Sequence, residues 1–161
     1  MMPSADSIRA HLARVLAWEE AHVGFERAVA GLAADLRGAR PPGFDHSPWQ
    51  ILEHLRLAQQ DLLAFCRDRS YVHALTWPDD YWPVDPAPPD AAAWDASVAA
   101  YQADRAALQA LAGDPSIALE TPVPTGAEGQ TYLRAILLVV DHNAYHLGQF
   151  VAVRRALGAW A

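Results

Sequence analysis

"TYLRAILLVVDHNAYHLGQFVAVRRAL", from Thr131 to Leu157, is the stretch of sequence that decides the fold of this chain. Its apolar residues recur every three or four positions, which is the period of a helix with one buried face. Two histidines, His142 and His146, interrupt that face. Side chains four residues apart on a helix lie one above the other, with Cβ atoms about 5–6 Å apart. We therefore expect a long central helix that aims two imidazole rings at one point in the interior.

The N-terminal part of the chain has the same period. Apolar residues predict a first helix from Ser7 to about Leu36, with Ser4 or Asp6 as a possible N-cap. Gly38 and the following Pro41-Pro42 pair predict its end, because proline cannot continue a helix.

Two more helices are predicted between these segments. In "SPWQ", Ser47 is typical of an N-cap and Pro48 of a first helical position, where its missing N–H costs nothing. This second helix is predicted to end near Arg67. The third runs from Ala91 to about Leu111, where "GDP" stops it. With no repeat and no second core, the four helices predict an all-α four-helix bundle, formed as one domain over residues 1–161.

A long loop separates the second and third helices. Five prolines between Thr76 and Asp90 exclude regular structure there, while Trp77, Tyr81 and Trp82 could pack the loop onto the helices. The polar connector of residues 116–130 could hold a short hairpin.

The composition disfavours several classes of function. The net charge is −7, and the 12 basic residues are all arginines, with no basic stripe, so nucleic acid is an unlikely partner. The longest aliphatic run is too short to span a bilayer, and no export signal is visible. The lone Cys66 suits a buried residue in a reducing compartment, which favours the cytoplasm.

A third histidine strengthens the interpretation of the pair. His54 lies two turns into the second helix and has apolar helical neighbours, so it too is predicted to face inward. Three imidazoles from two helices would form a three-histidine site with an open position, as in catalytic zinc sites. Imidazole also suits nickel, iron and copper. Asp61 and Gln149 are candidates to orient a ligand, although a solvated aspartate and an ordinary packed glutamine are the simpler interpretations.

The remaining candidate residues give weaker evidence of a functional role. Asn143 stands where a zinc protease has its glutamate base, which disfavours amide hydrolysis of that type. His11 and His22 could share a face with Trp18 but are more typical of surface positions. His46 and His73 have no spacing argument. Trp82 and Trp160, if exposed, could mark a partner surface.

The combined motifs resemble the DinB/YfiT superfamily of DinB-like metalloenzymes. The resemblance rests on "SPWQILEHL" with His54 in the first-ligand position, on the loop "WPDDYWP", and on "DHNAYHLGQF", which matches H-x-x-x-H-x-G-Q through His142, His146, Gly148 and Gln149. It spans nearly the whole chain in the expected order.

The resemblance implies an up-down-down-up bundle, a divalent ion such as zinc or nickel on His54, His142 and His146, and often a homodimer. Some relatives are thiol S-transferases, so one hypothesis is an enzyme that delivers a low-molecular-weight thiol to an electrophilic small molecule. Catalytic residues beyond the metal ligands are not identified. A second hypothesis is a stress-related module whose metal is structural. A third is a metal-free bundle in which the histidines bond to one another and to water.

Overall fold

The computed structural model describes residues 5–17 and 19–160, and this part of the chain is all-α, as the sequence predicted. Its five α-helices are α1 (Ala5–Val15), α2 (Phe25–Val29), α3 (Pro48–Arg67), α4 (Ala91–Gly113) and α5 (Tyr132–Ala156). Short 3-10 turns cover Ala34–Leu36 and Asp79–Tyr81. Where a hairpin was considered, the described residues form only an isolated bridge between Pro122 and Thr131.

The prediction of one helix from Ser7 to Leu36 was wrong. Helix α1 ends at Val15, and the chain resumes helical structure only at Phe25, after Gly24 in an extended conformation. Between Leu16 and Phe25 the apolar period is interrupted, so no continuous face was available to hold a helix there. A left-handed Gly31 then follows α2 and prevents the helix from continuing. The suggested cap Ser4 lies outside the described residues.

The other three helices agree closely with their predicted bounds. At the start of α3, the Ser47 hydroxyl accepts from the Gln50 backbone N–H, and the Gln50 side chain accepts from the Ser47 N–H. This reciprocal capping box satisfies two backbone donors that the helix itself leaves free. Thr131 caps α5 by accepting from the backbone N–H of Arg134.

Helix α3 packs against both α4 and α5, while α1 lies on α4 and α2 lies on α5. Arginines fix the two shorter helices in place. Arg9 of α1 donates to the carbonyls of Asp114 and Ile117 just beyond α4, at 2.7 and 2.5 Å. Arg154 of α5 is 6% exposed and donates to the carbonyl of Ala28 in α2 at 2.6 Å. The Arg154 contact satisfies a carbonyl in the last turn of α2, which the helix leaves without a partner.

Helices α3 and α5 therefore form a seam with few exposed atoms. Their facing residues include Leu52, Leu55, Ile136, Val139 and Phe150, each 1% exposed or less. Polar side chains occur within this seam at only a few places, and one of them is the histidine cluster described below. In the part of the chain that the structure describes, no helix has both the length and the apolar character of a membrane span.

Candidate metal centre

The three predicted histidines meet at the seam between α3 and α5. Helix α3 supplies His54, and α5 supplies His142 and His146 on successive turns. The Nε2 atom of His54 lies 3.0 Å from Nε2 of His142 and 3.1 Å from Nε2 of His146. His54 and His146 are 1% and 8% exposed, while His142 is half-buried. The seam thus brings three imidazole nitrogens together, with one side toward solvent.

Hydrogen bonds on the far side of two rings fix their tautomers. Nδ1 of His54 lies 3.1 Å from the backbone carbonyl of Tyr81, and Nδ1 of His146 lies 2.7 Å from Oε1 of Gln149. A carbonyl oxygen can only accept, so each Nδ1 carries the proton and donates. The Nε2 atoms of His54 and His146 consequently face each other as bare lone pairs.

This arrangement leaves buried acceptors without a donor. His142 can place a proton on Nε2 and donate it to one neighbour, but a second lone pair then has no donor among the described residues. A buried polar atom without a partner costs about 1–3 kcal/mol. A cation between the nitrogens would remove that cost, because it interacts with all three lone pairs together.

Burial keeps the rings neutral. Desolvation, followed by the neighbouring His146, lowers the pKa of His54 from its ordinary value of 6.5 to about 3. Desolvation and the neighbouring His142 lower the pKa of His146 to about 4. The pKa of His142 is also lowered, again chiefly by burial. Neutral imidazole is the form that binds metal ions.

The donor set fits a divalent ion. All three ligand atoms lie within 4.8 Å of one another. For a tetrahedral ion at the usual Zn–N distance, two nitrogens would be about 3.3 Å apart, close to the separations from His54. His54, His142 and His146 are therefore the residues that could hold a metal, and three neutral nitrogens also suit nickel, iron or copper.

The loop between α3 and α4 covers one side of the cluster. The Trp82 ring stacks on His54 with centroids 3.7 Å apart and planes within 4° of parallel, and His46 stacks on the opposite face of Trp82. Gln50 donates to the carbonyl of Pro83 at 2.8 Å, and the Ser47 hydroxyl donates to that of Pro86. The residues that begin α3 thus also hold the loop against His54.

On its other side the cluster opens into a cavity of about 390 Å³. The His142 ring forms part of the wall, and the Trp77 ring lies 6.0 Å from it. The remaining wall is mostly apolar and is formed by Ala58, Asp61, Leu62, His73, Tyr81 and Leu138. This volume is within the range of small-molecule sites.

Asp61 acts on the cluster through Tyr81 rather than directly. Its two carboxylate oxygens accept from the hydroxyls of Tyr71, at 2.8 Å, and Tyr81, at 2.6 Å. His73 lies 3.0 Å from the Tyr81 hydroxyl. Because the Tyr81 carbonyl accepts from His54, Asp61 helps to fix the backbone that orients the first ring. Gln149 contacts His146 itself, as its candidate role required.

Asn143 follows His142 in α5 and, against the larger effect of burial, acts to raise the pKa of that ring, while its own amide bonds to α3. Its Nδ2 donates to Oε1 of Gln59 at 3.0 Å, and Gln59 in turn donates to the backbone carbonyl of Tyr101 at 2.8 Å. Asn143 is buried and bridges α5 to α3, so the position of a protease base is occupied by a residue that packs in the core.

The other candidates lie apart from the cluster. His11 and His22 are exposed, and Trp18 lies outside the described residues. Cys66 is buried, as predicted, and burial raises the pKa of its thiol to about 11. The expectation that Trp82 and Trp160 are exposed was wrong, since both are partly buried, Trp82 against His54 and Trp160 beside Arg154.

Sequence reasoning missed three contributors: the Tyr81 carbonyl, the Trp82 ring and the His46 ring. A backbone carbonyl has no side-chain signal, so the contact from Tyr81 could not be read from the sequence. The aromatic residues of the loop did give a signal, but only the packing of the loop identifies which ring meets His54.

Comparison with known proteins gives one clear result. No curated protein and no solved structure matches the chain. The family model described as the DinB superfamily matches residues 17–150, which include α3, α5 and all three histidines. This match, which covers well over half of the sequence, establishes that the chain belongs to the DinB superfamily.

Proposed function

We propose that this protein is a metal-dependent enzyme that holds a divalent ion, zinc or nickel, on His54, His142 and His146. In this proposal it transfers a low-molecular-weight thiol to an electrophilic small molecule. The observation that carries the proposal is that Nε2 of His54 and Nε2 of His146 face each other as acceptors at 3.1 Å, while His142 can donate to only one of them. A cation would satisfy both.

A divalent ion held there would supply Lewis-acid chemistry, which lowers the pKa of a thiol or of water. The chain's own residues have separate tasks. The Tyr81 carbonyl and the Gln149 amide keep protons on the Nδ1 atoms of His54 and His146, and so keep Nε2 free. Trp82 shields His54 from water on the loop side. The cavity beside His142 is where a substrate would lie.

The proposed reaction is a substitution in which a thiol attacks a carbon that carries a leaving group. The sulfur forms a bond to the carbon as the bond to the leaving group breaks. The leaving group departs with that electron pair, and the thiol proton passes to solvent. Nothing is oxidised or reduced in this step, so it needs no reactant besides the thiol and the electrophile at the histidine site.

The test is conjugation of monochlorobimane by protein loaded with zinc or with nickel, with cysteine, glutathione and other cellular thiols supplied in turn. We expect fluorescent conjugate to form with at least one thiol, at a rate that falls after chelation and in His54→Ala. If no thiol gives metal-dependent conjugation with either ion, the transferase proposal is refuted.

The alternative is a stress-related, non-catalytic module in which the ion is structural. The positions of the three histidines on two helices support this alternative, because an ion bound to them would join α3 to α5. If so, chelation should melt the helices, since binding energy then serves as folding energy. The two apolar clusters to which α3 and α5 contribute favour the enzyme, which should keep its helical circular dichroism without metal.

We further propose that the helices form a four-helix bundle of up-down-down-up order and that two copies pair through α5. The outer face of α5 exposes Leu137 by 49% and Leu138 by 39%, between Arg134 and Asp141. In an antiparallel pairing centred between the leucines, Arg134 of one copy would oppose Asp141 of the other. Sedimentation should give a dimer that Leu137→Asp dissociates. A cytoplasmic location agrees with the single buried thiol.

A further inference from the structure

We propose that His73 accepts the proton of a thiol that binds in the cavity beside His142. The thiol as proton donor rests on the proposed function, whereas the free nitrogen of His73 rests on the hydrogen bonds around it. His73 lies in the loop between α3 and α4 and forms part of the cavity wall. It is therefore not on α5, the helix through which two copies are proposed to pair.

A chain of three hydrogen-bonded side chains determines where the ring proton of His73 lies. Oδ2 of Asp61 accepts from the Tyr81 hydroxyl at 2.6 Å. A hydroxyl has a single proton, and the carboxylate takes it, so the Tyr81 oxygen can only accept from Nε2 of His73, which lies 3.0 Å away. Nε2 of His73 therefore carries the ring proton, and Nδ1 keeps a lone pair.

The lone pair on Nδ1 of His73 is available to a ligand. The bond to Tyr81 is the one hydrogen bond that the His73 ring makes among the described residues, and the side chain is 51% exposed. His73 does not belong to the three-histidine group, although it shares a cavity with His142. Histidine is the side chain that most often accepts a proton in catalysis. The cavity therefore combines the open side of the histidine group with a free proton acceptor.

Asp61 provides the charge that such an acceptor needs. A divalent ion on the histidine group would repel an imidazolium on the opposite side of the cavity. Oδ2 of Asp61 lies 4.0 Å from Nε2 of His73 and attracts that imidazolium. The hydroxyls of Tyr71 and Tyr81 hold the carboxylate in this position. Because about half of the His73 side chain is exposed, water can then take the proton.

The proposed step moves one proton. The S–H bond of the thiol breaks, its electron pair stays on the sulfur, and Nδ1 of His73 forms a bond to the proton. The sulfur then attacks the electrophile as described above, and His73 releases the proton to water. No oxidant, reductant or further reactant is required.

The tautomer of His73 tests the free nitrogen without metal or turnover. In full-length, metal-free protein labelled with nitrogen-15 histidine, two-bond proton–nitrogen spectra at a pH above neutral distinguish a protonated ring nitrogen from a bare one. We expect His73 to carry its proton on Nε2 more completely than the exposed His11, which averages both tautomers. The spectrum of His73→Gln assigns the signal. If His73 averages its tautomers as His11 does, or carries the proton on Nδ1, the proposal is overturned.

Two thiols of similar size test the proton transfer in metal-loaded protein. Benzyl mercaptan keeps its proton at neutral pH, whereas 4-nitrothiophenol is already a thiolate. With monochlorobimane as the electrophile, His73→Gln should slow the catalysed conjugation of benzyl mercaptan by about 100-fold. The rate with 4-nitrothiophenol should stay within about twofold of wild type. His11→Gln is the matched control and should leave both rates unchanged.

The outcomes separate this proposal from the proposed function. Equal losses with both thiols would show that His73 is structural, and unchanged rates would show that another group takes the proton. Either result overturns the role of His73 and leaves the transferase proposal intact. If no thiol gives metal-dependent conjugation, the transferase proposal fails and the thiol as proton donor fails with it, while the spectra still decide whether the nitrogen is free. His73→Gln should keep one ion per chain, because His73 is not a ligand.

Discussion

Helices α3 and α5 meet through two buried polar clusters that behave differently. In one, Asn143 donates to Gln59, and Gln59 donates to the Tyr101 carbonyl, so that both bonds join an N–H to an oxygen. In the other, His54 and His146 present bare nitrogens to each other at 3.1 Å. The clusters adjoin, because Asn143 directly follows His142 in α5. The amide contacts join N–H donors to oxygen acceptors, although Asn143 Oδ1 has no hydrogen-bond partner among the described residues. The histidine cluster instead brings nitrogens together that could hold a cation.

The comparison distinguishes the interactions that stabilise the contact between α3 and α5 from the residues that could bind an ion there. The Gln59 contact contributes to the fold whether or not an ion is present. The histidine cluster carries a cost in the metal-free chain that an ion would remove. Substitutions in the two places should therefore change different observables.

The largest effect is expected from removing a histidine. His54→Ala should weaken zinc binding by more than about 100-fold, because loss of a mere outer partner of a ligand already costs about 10–100-fold. Competition with a chromophoric chelator measures the affinity. Gln59→Leu is the matched control from the same helix and should keep one ion per chain. Full retention of stoichiometric metal by His54→Ala, His142→Ala and His146→Ala would contradict the three-histidine site.

Gln149→Leu should have the next largest effect. The substitution removes the oxygen that accepts the Nδ1 proton of His146. Without that acceptor, His146 no longer favours the tautomer with a free Nε2, so zinc affinity should fall about 10–100-fold. The control is Tyr145→Phe, which removes only the hydroxyl that accepts from Gln149 and should change affinity little. Equal affinities for Gln149→Leu and wild type would mean that the amide only packs.

Gln59→Leu tests the amide cluster. It leaves the Asn143 Nδ2 without its acceptor, and the free energy of unfolding should fall by about 1–3 kcal/mol. Urea denaturation of metal-free protein measures the change. If Gln59→Leu is as stable as wild type, or if it loses zinc as His54→Ala does, the two clusters do not have separate roles.

Metal-free stability should also depend on pH. The folded pKa values of His54 and His146, about 3 and about 4, lie below the ordinary value of 6.5. Above pH 6.5 both states are neutral and the pair adds no pH dependence. As the pH falls from about 6.5 toward 4, the unfolded chain takes up protons that the folded chain does not, so the free energy of unfolding decreases.

Urea midpoints at several pH values in this range measure the slope. A double variant, His54→Gln with His146→Gln, should flatten it, while His11→Gln should leave it unchanged because His11 is exposed. If the wild-type and double-variant slopes coincide, the burial of the two rings does not control their protonation.

The sequence predicted the helices whose signals are local. Ser47, Pro48 and Gln50 define the start of α3 because a capping box is a short-range motif. The same logic failed between Leu16 and Phe25, where a period seen on both sides was extended across residues that do not share it. The break there depends on how α1 packs on α4 and α2 on α5, and that information is distributed over the whole chain.

For the candidate site, spacing within one helix was enough to pair His142 with His146. Periodicity alone placed His54 toward the interior, but the distance between helices fixes whether its nitrogen meets theirs. The contact from the Tyr81 carbonyl could not be predicted, because it depends on the path of a proline-rich loop. The family resemblance strengthened this ligand set, and the match to the DinB superfamily over residues 17–150 establishes the family.

The stack of Trp82 on His54 gives the protein an optical reporter. An indole 3.7 Å from an imidazole senses any change in the electron density of that ring. Copper or nickel at Nε2 should quench the emission of Trp82 through their open d shells, whereas zinc, with a filled shell, should mainly shift its wavelength. The difference spectrum between wild type and Trp82→Phe therefore distinguishes these ions in solution without any label.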